Sequence, residues 1–193
     1  MKKLFLIIGA PGSGKTTDAE MIAQNNENIT HYSTGDMFRE QIASKSELGA
    51  IINKYVSAGN LVPIDIVIKT IVDALNKAPT NVVIIDGYPR SNEQMIELDN
   101  YLNNDTNIKL VSVIEVVVSE ETACDRVLGR ARGEDDNVEI FNNRMKVYNQ
   151  PLEDIQNFYQ TKNLLHKVDG ERTINEIVKD IQKHLEQKGI KNS

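Results

Sequence analysis

The sequence predicts an α/β fold, a P-loop three-layer sandwich in which helices cover both faces of a central parallel sheet. Three observations predict it. Apolar, β-branched runs at 4–8, 82–85 and 111–118 lack polar alternation, as strands buried on both faces do. Segments with helical spacing, such as 64–75 and 120–128, lie between them, so strands and helices alternate along the chain. A glycine-rich loop follows the first run and opens a helical segment.

The first strand, 4–8, runs directly into that loop, and a weaker strand candidate lies near 31–33. From 36 to about 72 the chain reads as helices without a strand, an insertion into the α/β core. After the strand at 82–85, Ser91 with Gln94 has the capping-box spacing and opens the next helix. Ser119 ends the strand at 111–118 and, followed by two acids, starts the helix at 120–128. A second, short insertion surrounds 130–137. The helical pattern over 138–159 contains Pro151, which is expected to kink or interrupt it near Gln150. A weaker strand at 165–168 precedes a second capping box, Thr173 with Glu176, which opens an amphipathic helix through about Leu185.

With 193 residues the chain is sized for one domain with a substantial core. Its 22 basic and 28 acidic residues give a net charge of −6, which excludes a nucleic-acid-coating protein, and the 40% hydrophobic share excludes a disordered one. The single cysteine, Cys124, excludes an internal disulfide and a thiolate zinc site, and fits a reducing compartment. The charged start and apolar run of 1–10 resemble a secretory signal, but the run is short and a glycine-rich loop follows it. No stretch reaches the roughly 20 apolar residues of a membrane span. The expectation is a cytoplasmic monomer that binds neither membrane nor nucleic acid.

Gly9-Ala10-Pro11-Gly12-Ser13-Gly14-Lys15-Thr16 matches GxxxxGK[ST] in the strand-to-helix setting this motif requires. Its glycines let backbone N–H groups converge on phosphate oxygens, the helix N-terminus adds positive potential, and Lys15 brings a point charge. Thr16 or Thr17 can reach Mg²⁺. Asp86, at the end of the buried run 82–85, can hold a water of that ion beside the loop.

Seven of the 22 cations are arginines: Arg39, Arg90, Arg126, Arg130, Arg132, Arg144 and Arg172. Three fall within 126–132, and Arg126 and Arg130 share a face if that segment is helical. Arginine suits bidentate phosphate contacts, so such a cluster in an acidic chain points to a small, local phosphate site. Phosphoryl transfer is catalysed mainly by positioning and electrostatics, and an acceptor phosphate is already anionic, so no general base is demanded. His31, His166 and His184 can then all be bystanders.

Over essentially the whole chain these residues resemble adenylate kinase, of the nucleoside monophosphate kinase family, in its short-lid form. The matching segments occur in family order. They are the P-loop, Ser33-Thr34-Gly35-Asp36-Met37-Phe38-Arg39, Gly59-Asn60-Leu61-Val62-Pro63, Asp86-Gly87-Tyr88-Pro89-Arg90 with Gln94, Asp125-Arg126-Val127-Leu128-Gly129-Arg130, Asp135-Asp136, Arg144 and Val168-Asp169-Gly170. The resemblance implies reversible, Mg²⁺-dependent phosphoryl transfer from ATP to AMP. It implies a core (1–32, 63–129, 138–193), an AMP-binding region (33–62) and a short lid (130–137) without zinc. ATP would lie on Gly12, Ser13, Gly14, Lys15, Thr16 and Thr17, with Arg126, Arg130 and Arg172. AMP would meet Thr34, Arg39, Asn60, Leu61, Val62, Gly87, Tyr88, Pro89, Arg90 and Gln94, with Arg132 and Arg144. Lys15, Arg90, Arg126, Arg130, Arg132 and Arg144 would be catalytic.

Two departures from the family pattern leave alternatives open. Lys15-Thr16-Thr17 stands where GKGT is common, so either threonine can serve Mg²⁺. Two residues rather than one separate Arg132 from Asp135-Asp136, so either Glu134-Asp135 is the effective acid pair or the register shifts and the lid arginine is placed differently. A UMP/CMP kinase fits less well, since Ser91 rather than Asn follows Arg90 and Thr34 replaces the usual Ala. A guanine-nucleotide switch lacks support, because Asn53-Lys54-Tyr55-Val56 has no acid for an NKxD motif.

Overall fold

The computed structural model describes residues 1–105, 107–130 and 137–191. Five parallel strands, β1 (Lys2–Gly9), β2 (Ile29–Ser33), β3 (Val82–Asp86), β4 (Ile108–Val117) and β5 (Leu165–Asp169), form one sheet in the order β2-β3-β1-β4-β5. The helices are α1 (Lys15–Gln24), α2 (Thr34–Ala43), α3 (Glu47–Val56), α4 (Ile64–Lys77), α5 (Asn92–Asn104), α6 (Glu120–Arg130), α7 (Val138–Thr161) and α8 (Ile174–Gln187). The predicted α/β sandwich is the fold observed.

Successive side chains of a strand point to opposite faces, and β1 feeds two cores at once. Leu4, Leu6 and Ile8 pack with residues of α4, α5 and α7, while Phe5 and Ile7 pack with those of α1 and α8. This double burial is why the run 4–8 carries no polar residue. A third cluster joins Ala10 of the P-loop to Ala123 and Val127 of α6 and Phe141 and Met145 of α7.

Topology fixes where a ligand can bind. From the neighbouring strands β1 and β3 the chain departs to helices on opposite faces, α1 against the Phe5–Ile7 side and α5 against the Leu4–Ile8 side. Such a divergence opens a crevice beyond the C-terminal strand ends. The P-loop and the turn from Asp86 to Arg90 both lie there.

The strands expected at 31–33 and 165–168 are present as β2 and β5, and the segment 36–72 holds helices and no strand. β4 begins at Ile108 rather than 111, because Lys2 and Lys3 pair with Ile108 and Lys109 beyond the apolar run. It ends at Val117, one residue before the predicted end.

Pro151 does not interrupt α7, which is continuous from Val138 to Thr161. Phe141 and Met145 are buried on one side of the proline and Ile155 and Tyr159 on the other. Packing on both flanks holds the axis across the one backbone bond that Pro151 forfeits. The Thr173–Glu176 capping box is complete, and α8 runs to Gln187. Ser119 Oγ accepts from the Thr122 amide at 3.1 Å, as the acidic helix start predicts.

Candidate active site

The P-loop leaves β1 and turns into α1 at Gly14, whose φ of 89° is left-handed. Gly12, with φ 78°, crosses α6 so closely that a Cβ would collide with the Ala123 carbonyl and with Val127 Cγ2 at 2.8 Å. Only glycine fits both the angle and the gap. Lys15 opens α1 with Nζ 3.4 Å from the Ala10 carbonyl, a long contact that leaves most of its donor capacity for a ligand.

Asp86 ends β3, in register with Ile7 of β1 and Ser33 of β2. Thr16 Oγ1 donates to its Oδ1 at 2.8 Å, and His31 Nε2 lies 2.5 Å from its Oδ2. Of the two threonines, Thr16 is the one on the acid. His31 thus holds the 1%-exposed Asp86 without itself lining the cavity.

One cavity opens above the strand ends. Its walls bring together Lys15, Thr16, Asp86, Arg90, Arg130 and Arg144 with Thr34, Arg39, Asn60, Leu61, Val62, Gly87, Pro89 and Gln94. Burial pushes the Lys15 ammonium down to about 7, and Arg90, Arg144 and Arg130 push the same way against Asp86. The Arg90 guanidinium is likewise lowered by burial, then by Arg39, with Asp86 opposing. Five cations, Lys15, Arg39, Arg90, Arg130 and Arg144, line this recess with Asp86, a concentration suited to a polyanion.

Local bonds set the walls. Thr34 Oγ1 donates to the Gly87 carbonyl at 3.0 Å, and Arg90 Nε donates to the same carbonyl at 2.7 Å. Arg39 is held by Asp36 one helical turn earlier. Gln94 divides its groups. Its amide N–H donates to the Ser91 cap, and its Oε1 accepts from the Arg90 amide rather than closing the box on Ser91.

Several predicted residues lie off the cavity wall. Tyr88 is fully buried and donates from its hydroxyl to the Gln94 carbonyl, so its side chain supports the wall from behind. Arg126 donates to the carbonyls of Ser13 and Gly170 at 3.1 and 3.0 Å, bracing the P-loop against the β5–α8 turn. Arg172 donates to Asp180 at 2.7 Å and points along α8. Gly12, Ser13, Gly14 and Thr17 are P-loop or α1 residues beside the cavity lining. Arg132, with Glu134, Asp135 and Asp136, lies outside the described residues.

Sequence reasoning missed the apolar lining of Phe38, Val147 and Tyr148. Tyr148 was findable, since it follows Arg144 by one helical turn and so shares its face.

It also missed Asp18, which is 1% exposed and whose two carboxylate oxygens have no hydrogen-bond partner among the described residues. Burial raises this carboxyl to about 7, with Arg126 opposing. Between about pH 4 and 7 the native acid therefore keeps a proton that the unfolded chain has released, so stability falls as pH rises through that window. Asp18→Asn is expected to raise the thermal unfolding midpoint at about pH 8 by a few degrees and to change it little at about pH 4. A midpoint lowered at the higher pH would mean that the Arg126 attraction outweighs the burial.

The adenylate kinase family model matches residues 7–164. The adenylate kinase of Wolinella succinogenes is 63% identical over 183 residues, covering 94% of this chain and 96% of that protein. That of Campylobacter lari is 62% identical over 182 residues, covering 94% and 96%. That of Nautilia profundicola is 62% identical over 189 residues, covering 97% and 98%. A P-loop at a topological switch point, a cation-lined recess beside it and identity of this extent along nearly the whole chain agree: the protein is an enzyme of the adenylate kinase family.

Proposed function

We propose that the chain catalyses ATP + AMP ⇌ 2 ADP by direct in-line phosphoryl transfer without a covalent intermediate, serving adenine nucleotide homeostasis. The observation that carries this reading is the convergence of Lys15, Arg90, Arg130 and Arg144 with Asp86 on one cavity at the P-loop. Charge on the transferred group spreads over its equatorial oxygens, and these cations are placed to neutralise it without reorganising. In this reading Lys15, Thr16 and the loop amides hold ATP. Thr34, Arg39, Asn60, Leu61, Val62, Gly87, Pro89, Arg90 and Gln94 hold AMP, with Tyr88 acting through Gln94.

Arg126 acts by bracing the donor loop, and Arg172 contributes through its backbone. Arg132 would add a further cation from the lid. The chain divides in this reading into the core, the AMP-binding region, 33–62, and the lid, 130–137. Phe38, Val147 and Tyr148 supply apolar wall, which disfavours water as an acceptor.

The donor set fits magnesium. Thr16 Oγ1 and the Asp86 carboxylate are hard oxygens on residues that line the cavity, and among the described residues no group of three His, Cys, Asp or Glu forms a protein-only metal cage. Thr16 and Asp86 would hold Mg²⁺ largely through its waters and the substrate phosphates. The ion neutralises phosphate charge when bound. Neither zinc nor a nucleic acid has a part in this reading. Among the described residues no helix is long and apolar enough to cross a membrane. The working form is a cytoplasmic monomer.

The test is a coupled assay of transfer from Mg·ATP to AMP, CMP, UMP, GMP and water. Fast ADP formation with AMP alone is expected. Dominant CMP or UMP turnover would overturn the roles given to Thr34 and Gln94, and hydrolysis without any acceptor would overturn the reaction itself.

A further inference from the structure

A side chain of α7 is hydrogen-bonded to the turn that follows α3. Gly59, with φ 73°, donates its amide to the Val56 carbonyl at 3.0 Å, and Asn60 donates to the Tyr55 carbonyl at 2.9 Å. This paired pattern is the Schellman ending of a helix, and it leaves the Ala58 carbonyl facing outward. Asn143 of α7 meets it. Its Nδ2 donates to the Ala58 carbonyl at 2.6 Å and to Asn60 Oδ1 at 3.0 Å, so both of its N–H bonds are spent on this one turn.

The docking is close. A Cβ on Gly59 would stand 3.0 Å from Arg144 Cγ and 3.1 Å from the Ile140 carbonyl. The turn therefore rests against the stem of Arg144, and two cavity residues, Asn60 and Arg144, flank the contact. Asn143 itself does not line the cavity.

We infer that Asn143 is a positioning residue: by pinning the 58–60 turn to α7, it sets Asn60 and Arg144 relative to each other on the acceptor side of the cavity. This rests on the proposed acceptor being a nucleoside monophosphate. The chemistry required at position 143 is a donor aimed at two acceptor oxygens. An isosteric carboxylate there would face both oxygens with like charge and should be worse than no side chain.

The experiment compares Asn143→Ala, Asn143→Asp and Asn143→Lys with the parent protein. Three readouts are taken: steady-state kinetics with AMP, hydrogen exchange at the Gly59 and Asn60 amides, and thermal unfolding. Asn143→Ala is expected to raise KM for AMP about 3- to 10-fold and to speed exchange at both amides. Asn143→Asp should be worse in both. Asn143→Lys, whose ammonium can serve both oxygens, should recover most of the loss. KM for ATP should stay within about twofold in all three variants.

Unchanged exchange at 59 and 60 in Asn143→Asp would overturn the inference. So would faster exchange with unaltered KM for AMP, or equal lowering of the unfolding midpoint by Ala and Asp with no kinetic change. Failure of the parent protein to phosphorylate any monophosphate would overturn the proposed function instead, while the exchange pattern would still decide whether Asn143 holds the turn.

Discussion

Lys15→Met is expected to lower kcat for phosphoryl transfer by about 10²–10³-fold while raising the thermal unfolding midpoint. The two effects share one cause. Desolvation lowers the half-buried Lys15 ammonium to about 7, and Arg90, Arg144 and Arg130 repel it while Asp86 offsets them in part. Methionine keeps the unbranched stem and removes that cost. The same charge is what a polyphosphate would need, so a destabilised residue is retained where the chemistry demands it.

Proton linkage gives the complementary measurement. Bound phosphates would favour the charged amine, so above about pH 7 triphosphate binding should take up a proton at Lys15, and affinity should fall as pH rises from about 7.5 to 9. Calorimetry in two buffers of different ionisation enthalpy reads this uptake directly, and Lys15→Met should abolish it. A variant that lost both activity and stability would instead mean that Lys15 holds the loop together.

What the sequence discloses and what it withholds divide along local and tertiary physics. The run 4–8, the loop 9–16 and the Thr173 capping box are set by residues within a few positions of one another, and each is legible in the amino-acid order alone. The partner of Asp86 is not. His31 reaches it across a strand pairing in which Ser33 is the residue in register, and nothing near position 31 in the chain announces that acid. Gln94 shows the same limit at shorter range: the spacing from Ser91 identifies the helix start, yet the side chain closes on the Arg90 amide because the turn from Gly87 brings it nearer. Pro151 is the reverse case, a strong local signal overruled by buried residues on both sides of it.

Arg90→Ala is expected to reduce kcat/KM for AMP by about 10³-fold, with KM and kcat both impaired, whereas Lys54→Ala should stay within about twofold of the parent protein. Arg90 is held for use rather than for stability. Its Nε is committed to the Gly87 carbonyl at 2.7 Å, which fixes the plane of the guanidinium on the cavity wall beside Thr34 and Arg39. Burial lowers its affinity for its own proton, Asp86 opposes this and Arg39 adds repulsion, so a phosphate at the guanidinium would relieve part of that cost.

An interaction made with the acceptor phosphate in both the bound and the transition state weakens binding and turnover together when removed. Lys54 has the same formal charge, but it lies in the inserted segment, exposed in the last turn of α3 and away from the cavity lining. Comparing the two separates geometry from net charge. Arg90→Lys sharpens the test: an ammonium preserves the charge but not the fork fixed by Nε, and it should recover less than about a tenth of the lost activity. If Lys54→Ala matched Arg90→Ala, or if Arg90→Lys were fully active, the cavity would be attracting nucleotides by charge alone and its wall geometry would have no part in choosing the acceptor.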